Sequence, residues 1–149
     1  MTYDVENDMM YMDIARRISE RSHDLTRKVG AVLVLADNIL SYGWNGRPPG
    51  EPNDMEYGDL SMVDSQLYFR LRTRQDVMHA EMNAFRKLMR TTISTVGTTL
   101  YTTLEPCGGC APYVHSAGVI EVVYEDSYKN NAGTTYLRKR GLTVRRIGE

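Results

Sequence analysis

The chain has 149 residues, 42% hydrophobic and 25% charged, the mix of a single ordinary globular domain. Eighteen Lys and Arg stand against 19 Asp and Glu, so bulk nucleic-acid binding is not expected. No apolar run approaches the ~18 residues of a membrane span, the acidic first residues lack a secretory pattern, and two cysteines make no disulfide framework; a cytoplasmic protein without a membrane partner is predicted.

Residues 8–21 place Met9, Met12, Ala15 and Ile18 at helical spacing between charges and predict a helix. Residues 29–35 are nearly all apolar and rich in β-branched side chains, the pattern of a strand buried on both faces. Asp37-Asn38 reads as a hairpin turn into an antiparallel strand over 39–44. Residues 43–52 are saturated with Gly and Pro and must be loop. The polar stretch 53–78, with Leu67, Tyr68, Phe69 and Leu71, is the least readable part of the chain and leaves room for a short helix; residues 47–78 as a whole read as an inserted loop in one domain spanning 1–149. Helices are predicted at 80–89, 106–117 and 130–140, the last closed by Gly141, and strands at 97–103, 119–124 and 142–147. Strands alternating with helices after a first hairpin imply a mixed sheet covered by helices on its faces.

Two motifs stand at predicted helix starts: His79-Ala80-Glu81 and Pro106-Cys107-Gly108-Gly109-Cys110. Either alone is weak. Together they use the only two cysteines and one of three histidines. One imidazole and two thiolates suit zinc, with a fourth position left open. A structural zinc would draw its fourth ligand from His23, His115 or an acidic residue, whereas an open position beside an uncommitted Glu81 is the catalytic arrangement. On a regular helix His79 and Glu81 would stand about 200° apart. At a first turn they can flank an atom lying beyond the helix end.

His-Ala-Glu followed by Pro-Cys-x-x-Cys resembles the zinc-deaminase signature. The segments HAEMNAF at 79–85, LEPCGGC at 104–110, SHDLTRKVGAVLV at 22–34 and GWNGRPPG at 43–50, with Tyr128, resemble the deoxycytidylate (dCMP) deaminase branch of the cytidine deaminase superfamily, from about residue 11 to 147. The resemblance implies a three-layer α/β/α fold with a mixed five-stranded sheet. It implies hydrolytic deamination of dCMP to dUMP and ammonia, supplying dUMP for dTTP synthesis. It implies one catalytic zinc on His79, Cys107 and Cys110, and Glu81 as proton shuttle. Asn45 is expected at the sugar hydroxyl, backbone groups of Ala80 and Glu105 at the pyrimidine, and Tyr128 over the nucleotide. Lys28, Arg27, Ser22, Thr26 and Lys129 are the candidates for the phosphate.

The same resemblance implies a homo-oligomer, commonly a hexamer, activated by dCTP and inhibited by dTTP, each with Mg2+. Gly43, Trp44, Asn45, Gly46 and Arg47 are the expected effector site. The family's frequent second, structural zinc is not expected, because no cysteine lies outside 107–110, and residues 51–78 are expected to be held by packing alone. Alternatives are a tRNA adenosine or other small-base deaminase and a non-catalytic zinc-stabilised module. Arg138-Lys139-Arg140 and Arg145-Arg146 read as a solvated face rather than an RNA contact.

Overall fold

The computed structural model describes residues 4–149. Helix α1, Val5–Ser19, starts earlier than predicted because the Asp4 side chain caps it, accepting from the Asn7 N–H at 3.0 Å. Met9 does not enter the core as expected and is 51% exposed. Asp8 turns inward instead, accepting from Tyr101 Oη at 2.8 Å and from both terminal nitrogens of Arg145. Tyr11, Met12 and Ala15 complete the buried stripe. Arg145 therefore belongs to a buried ion cluster with Asp8 and Glu121, not to a solvated face.

Strands β1, Gly30–Leu35, and β2, Asn38–Trp44, form the predicted hairpin. Its turn sits one residue earlier, at Ala36 and Asp37, both with positive φ. β5, Thr99–Leu104, pairs antiparallel to β1. β6, Glu121–Asp126, and β7, Thr143–Arg146, then add in parallel, giving the order β2-β1-β5-β6-β7. The parallel steps are bridged by α3, Ala111–Ser116, and α4, Ala132–Lys139. Helix α2, Ala80–Arg86, joins them on one face.

Burial on both faces of the sheet explains the unbroken apolar runs. Val32, Val34, Tyr101 and Val123 face α1. Ala31, Leu33, Leu100 and Val122 face the opposite layer, with Ala84, Phe85, Val114 and Leu137. This is the three-layer α/β/α arrangement with a mixed five-stranded sheet.

The segment 53–78 holds strands rather than loop or a short helix. It is an antiparallel hairpin, β3 Glu56–Val63 with β4 Gln66–Thr73, standing off the main sheet. Leu67, Phe69 and Leu71 alternate with polar residues, which is strand periodicity, and Asp64-Ser65 turn with positive φ. Packing alone does not hold it. Arg74 bonds the Asp54 carboxylate and carbonyl, its N–H reaches the Met55 carbonyl at 2.7 Å, and Met55 is buried. No described helix is long and apolar enough to cross a membrane.

Candidate active site and metal centre

Parallel strands open a crevice at their carboxyl ends. Here β5 runs into Glu105, Pro106 and Cys107, and β6 leads to Tyr128. His79 is the N-cap of α2 and Cys110 the N-cap of α3. Cys107 lies in the tight turn just before, its carbonyl accepting from the Cys110 and Ala111 N–H groups at 3.2 and 3.0 Å. The helix predicted from 106 thus starts at Ala111, and the turn it displaces carries the thiols.

Close backbone approach sets these ends in place. A Cβ on Gly133 would fall 1.9 Å from the Pro106 carbonyl oxygen, so α4 rests directly on the cysteine turn. A Cβ on Gly43 would fall 2.4 Å from the Ala80 carbonyl oxygen. Gly43 therefore serves the packing of β2 on α2. The Asn83 side chain donates to the Trp44 carbonyl at 2.8 Å, and Gly46 and Met78 exchange two backbone hydrogen bonds. These contacts tie the 43–50 loop to Met78, the residue preceding His79.

His79 Nδ1 lies 3.5 Å from Cys107 Sγ and 3.2 Å from Cys110 Sγ, and all three ligand atoms fall within 4.8 Å of one another. A tetrahedral ion with Zn–N and Zn–S bonds of ~2.0–2.3 Å holds its ligands about 3.5 Å apart. The donor chemistry points the same way. Hydrogen bonding from Cys110 and from His79 pulls the Cys107 thiol down to about 3, while the Cys107 sulfur, burial and Glu81 push the Cys110 thiol up. The two sulfurs oppose each other's ionisation, so a cation between them favours both thiolates. Contact with Cys107 raises the His79 pKa against the pull of burial. The residues fit zinc.

Glu81 is 3% exposed, and burial raises its carboxyl pKa. It lines a cavity of about 180 Å3 with His79, Ala80, Cys107, Asn45 and Tyr128. That is below the ~300 Å3 of a whole small-molecule site, so a ring fits inside and the rest of a ligand extends toward the mouth.

The other expected residues divide. Asn45 lines the cavity, but its amide is already engaged: Oδ1 accepts from the Val29 N–H at 2.9 Å and Nδ2 donates to the Arg27 carbonyl at 2.9 Å. The Glu105 N–H is spent on the Asp126 carbonyl at 2.8 Å, which leaves its carbonyl for a ring. Its carboxylate accepts from the Tyr128 N–H at 3.0 Å and from Thr134 Oγ1 at 2.5 Å, a brace for Tyr128 missed from the sequence. Lys28 does not line the cavity, and its neighbour Arg27 does, with a guanidinium 2.8 Å from Asp126. Thr73 and Val77 line it too, unforeseen because their segment read as loop. His115 stands apart, edge-on to Tyr136.

Residues 5–126 match the cytidine and deoxycytidylate deaminase zinc-binding region. The chain belongs to the cytidine and deoxycytidylate deaminase family. It is 31% identical to human deoxycytidylate deaminase over 144 residues, covering 92% of this chain and 77% of that one. Against the Schizosaccharomyces pombe deoxycytidylate deaminase it is 30% identical over 93% of its own length but spans only 43% of that protein. The structure of the cyanophage S-TIM5 dCMP deaminase in complex with dCMP and dUMP is similar at a TM-score of 0.81 and 31% identity, covering 99% of both chains. A tRNA:A34 deaminase at 20% identity and a TM-score of 0.58 shares the fold. His79, Cys107 and Cys110, whose ligand atoms are close enough to share a metal ion, all lie within the matched zinc-binding region.

The residues expected at an effector site, Gly43, Trp44, Asn45, Gly46 and Arg47, line a second cavity of about 270 Å3 with Arg86 and Lys87. Arg47 is not open to a ligand as expected: it bonds Asp76, Asp54 and Glu51, each at 3.0–3.1 Å. Lys87 Nζ sits 3.7 Å from the Tyr42 ring centroid, and burial lowers its pKa. Asn45 lines both cavities.

Proposed function

We propose that this chain hydrolyses dCMP to dUMP and ammonia. The observation that carries the reading is a buried Glu81 carboxyl, against the Cys110 thiol and outside the His79, Cys107 and Cys110 ligand set, lining the same small cavity. The similarity to deoxycytidylate deaminases supports the substrate. Zinc held by His79, Cys107 and Cys110 supplies a Lewis acid that makes water a nucleophile near neutral pH. Glu81 takes the proton of the attacking water and passes it to N3 of the cytosine ring as C4 is attacked. It then carries the second proton to the exocyclic amine, and ammonia leaves. Burial favours the protonated carboxyl, so Glu81 can return each proton it accepts. The Ala80 backbone and the Glu105 carbonyl orient the ring, Asn45 meets the sugar hydroxyl, and Tyr128 covers the nucleotide. Arg27, the one Lys or Arg lining the cavity among the described residues, takes the phosphate by exchanging Asp126 for it.

A site that pairs donors with a phosphate penalises its absence, because those donors are left unpaired. dCMP is expected to exceed deoxycytidine in kcat/KM by about 10³-fold or more, near the range for sites built around a hydrogen-bonded group. Arg27→Ala should lower kcat/KM for dCMP and leave deoxycytidine unchanged. Steady-state kinetics with both substrates checks this, and equal specificity constants would overturn a nucleotide-level enzyme.

A homo-oligomer, commonly a hexamer in this family, with dCTP–Mg2+ as activator and dTTP–Mg2+ as inhibitor completes the proposal. The cavity behind the 43–50 loop supports it, because Asn45 is shared with the catalytic cavity and a ligand behind the loop has a differential contact to exploit. Arg86 and Lys87 replace Arg47 as the cations for its phosphates. At subsaturating dCMP, dCTP should raise the rate and dTTP lower it, with both responses weakened in Arg86→Ala. Rates indifferent to both triphosphates would remove the regulation.

A further inference from the structure

The β3–β4 hairpin takes little part in the chemistry above. Opposed residues of an antiparallel pair share a face. Gly58 with Leu71, Leu60 with Phe69 and Met62 with Leu67 therefore form one side, and Tyr57 with Arg72, Asp59 with Arg70 and Ser61 with Tyr68 the other. The first side carries five large apolar side chains and no charge between Gly58 and Leu71. All five are exposed, from 52% at Leu71 to 67% at Phe69. The second side mixes Tyr57, Tyr68 and Val63 with charged and polar residues, and Arg72 pairs with Asp59 on it. The pattern is that of a strand pair buried on one face, yet neither strand packs broadly on any other described helix or strand. A lone two-stranded hairpin is marginal in water.

We propose that this face docks against the same face of a second copy of the chain. Size favours that occupant. At roughly 100–150 Å2 for each side chain, the face offers about 600 Å2 per copy and about 1,200 Å2 for a pair, which reaches the lower bound of stable interfaces and is large for a patch left on a monomer. Shape and charge favour it as well. The Phe69 ring leans over Gly58, where a Cβ would come within 2.7 Å of it, so the face is continuous across its glycine. Two such faces stack as the halves of a β-sandwich about 10 Å apart. The one charge on the apolar side is Glu56, opposite Thr73 at the end of the pair, where its carboxylate accepts from the Leu25 N–H at 3.1 Å; the face from Gly58 to Leu71 sets no like charges against each other in a two-fold contact, and Asp59, Arg70 and Arg72 stay on the outer surfaces. Thr73 continues the apolar side of β4 and lines the catalytic cavity, so the docked copy abuts the rim of the site.

This contact is one interface of the homo-oligomer proposed above, and sedimentation of the zinc-loaded protein across a dilution series tests it. The parent should self-associate. Leu60→Asp with Phe69→Asp should raise the dissociation constant at least about 100-fold, and Met62→Glu at the hairpin tip at least about 10-fold. Arg70→Ser, on the polar side, should leave it unchanged. One zinc per chain in each variant reports an intact body. Variants that assemble as the parent does would overturn the hairpin's role while leaving the oligomer standing. A parent that stays monomeric, alone or by partitioning onto phosphatidylcholine vesicles, would overturn both.

Discussion

Glu81→Gln is expected to reduce kcat on dCMP by about 10⁴-fold while one zinc and the native fold are retained. Losing one positioned proton carrier costs roughly 10²–10⁴-fold, and Glu81 serves two transfers in the proposed cycle. That loss corresponds to about 5 kcal/mol of barrier. Glutamine keeps the shape of a side chain that is 3% exposed, so the cavity does not collapse. It removes the group that burial holds ready to be protonated. The effect should fall on kcat rather than KM, because the carboxyl is needed most where protons move. Turnover within tenfold of the parent, in a zinc-loaded and folded variant, would remove Glu81 from the chemistry.

Metal removal should be the largest perturbation of stability. A ligand present at about 1,000 times its dissociation constant stabilises the folded state by about 4 kcal/mol. For a domain of this length that is roughly 8–16 °C in Tm. Stripping zinc with a chelator should lower Tm by that amount, and re-addition should restore it. Cys110→Ser should bind zinc more weakly by well over the ~10–100-fold that loss of an outer partner costs. The metal-free protein should remain folded, because α2, α3 and α4 still bury Ala84, Phe85, Val114 and Leu137 against the sheet. Calorimetry with metal analysis checks both results. A Tm shift under about 2 °C would show that these residues do not tie zinc to folding.

The readable parts of the sequence were those where one physical signal acts alone. β1 and β6 lie inside the sheet, so their apolar runs have one explanation, and β5 between them shows as the β-prone segment TLYTTL. His79, Cys107 and Cys110 announce themselves because metal chemistry admits few residue types, and the chain has only two cysteines. Asp8 and Arg145 were illegible. Each is charged and so predicted outside, and their burial depends on meeting each other and Tyr101 across 137 and 93 residues of sequence. Arg47 had the composition of a phosphate ligand, but three carboxylates from Glu51, Asp54 and Asp76 converge on it only in the fold. The hairpin failed for another reason. Its alternation runs from Leu60 through Leu71, but its apolar side is buried by nothing in the described chain, and an exposed apolar face gives no core to reason from.

Incubated with dCMP, the zinc-loaded protein should form dUMP and ammonia in equal amounts, catalytically, and a chelator should abolish both products. Folded protein with one zinc per chain that forms no dUMP from dCMP, with or without dCTP–Mg2+, would contradict the proposed activity.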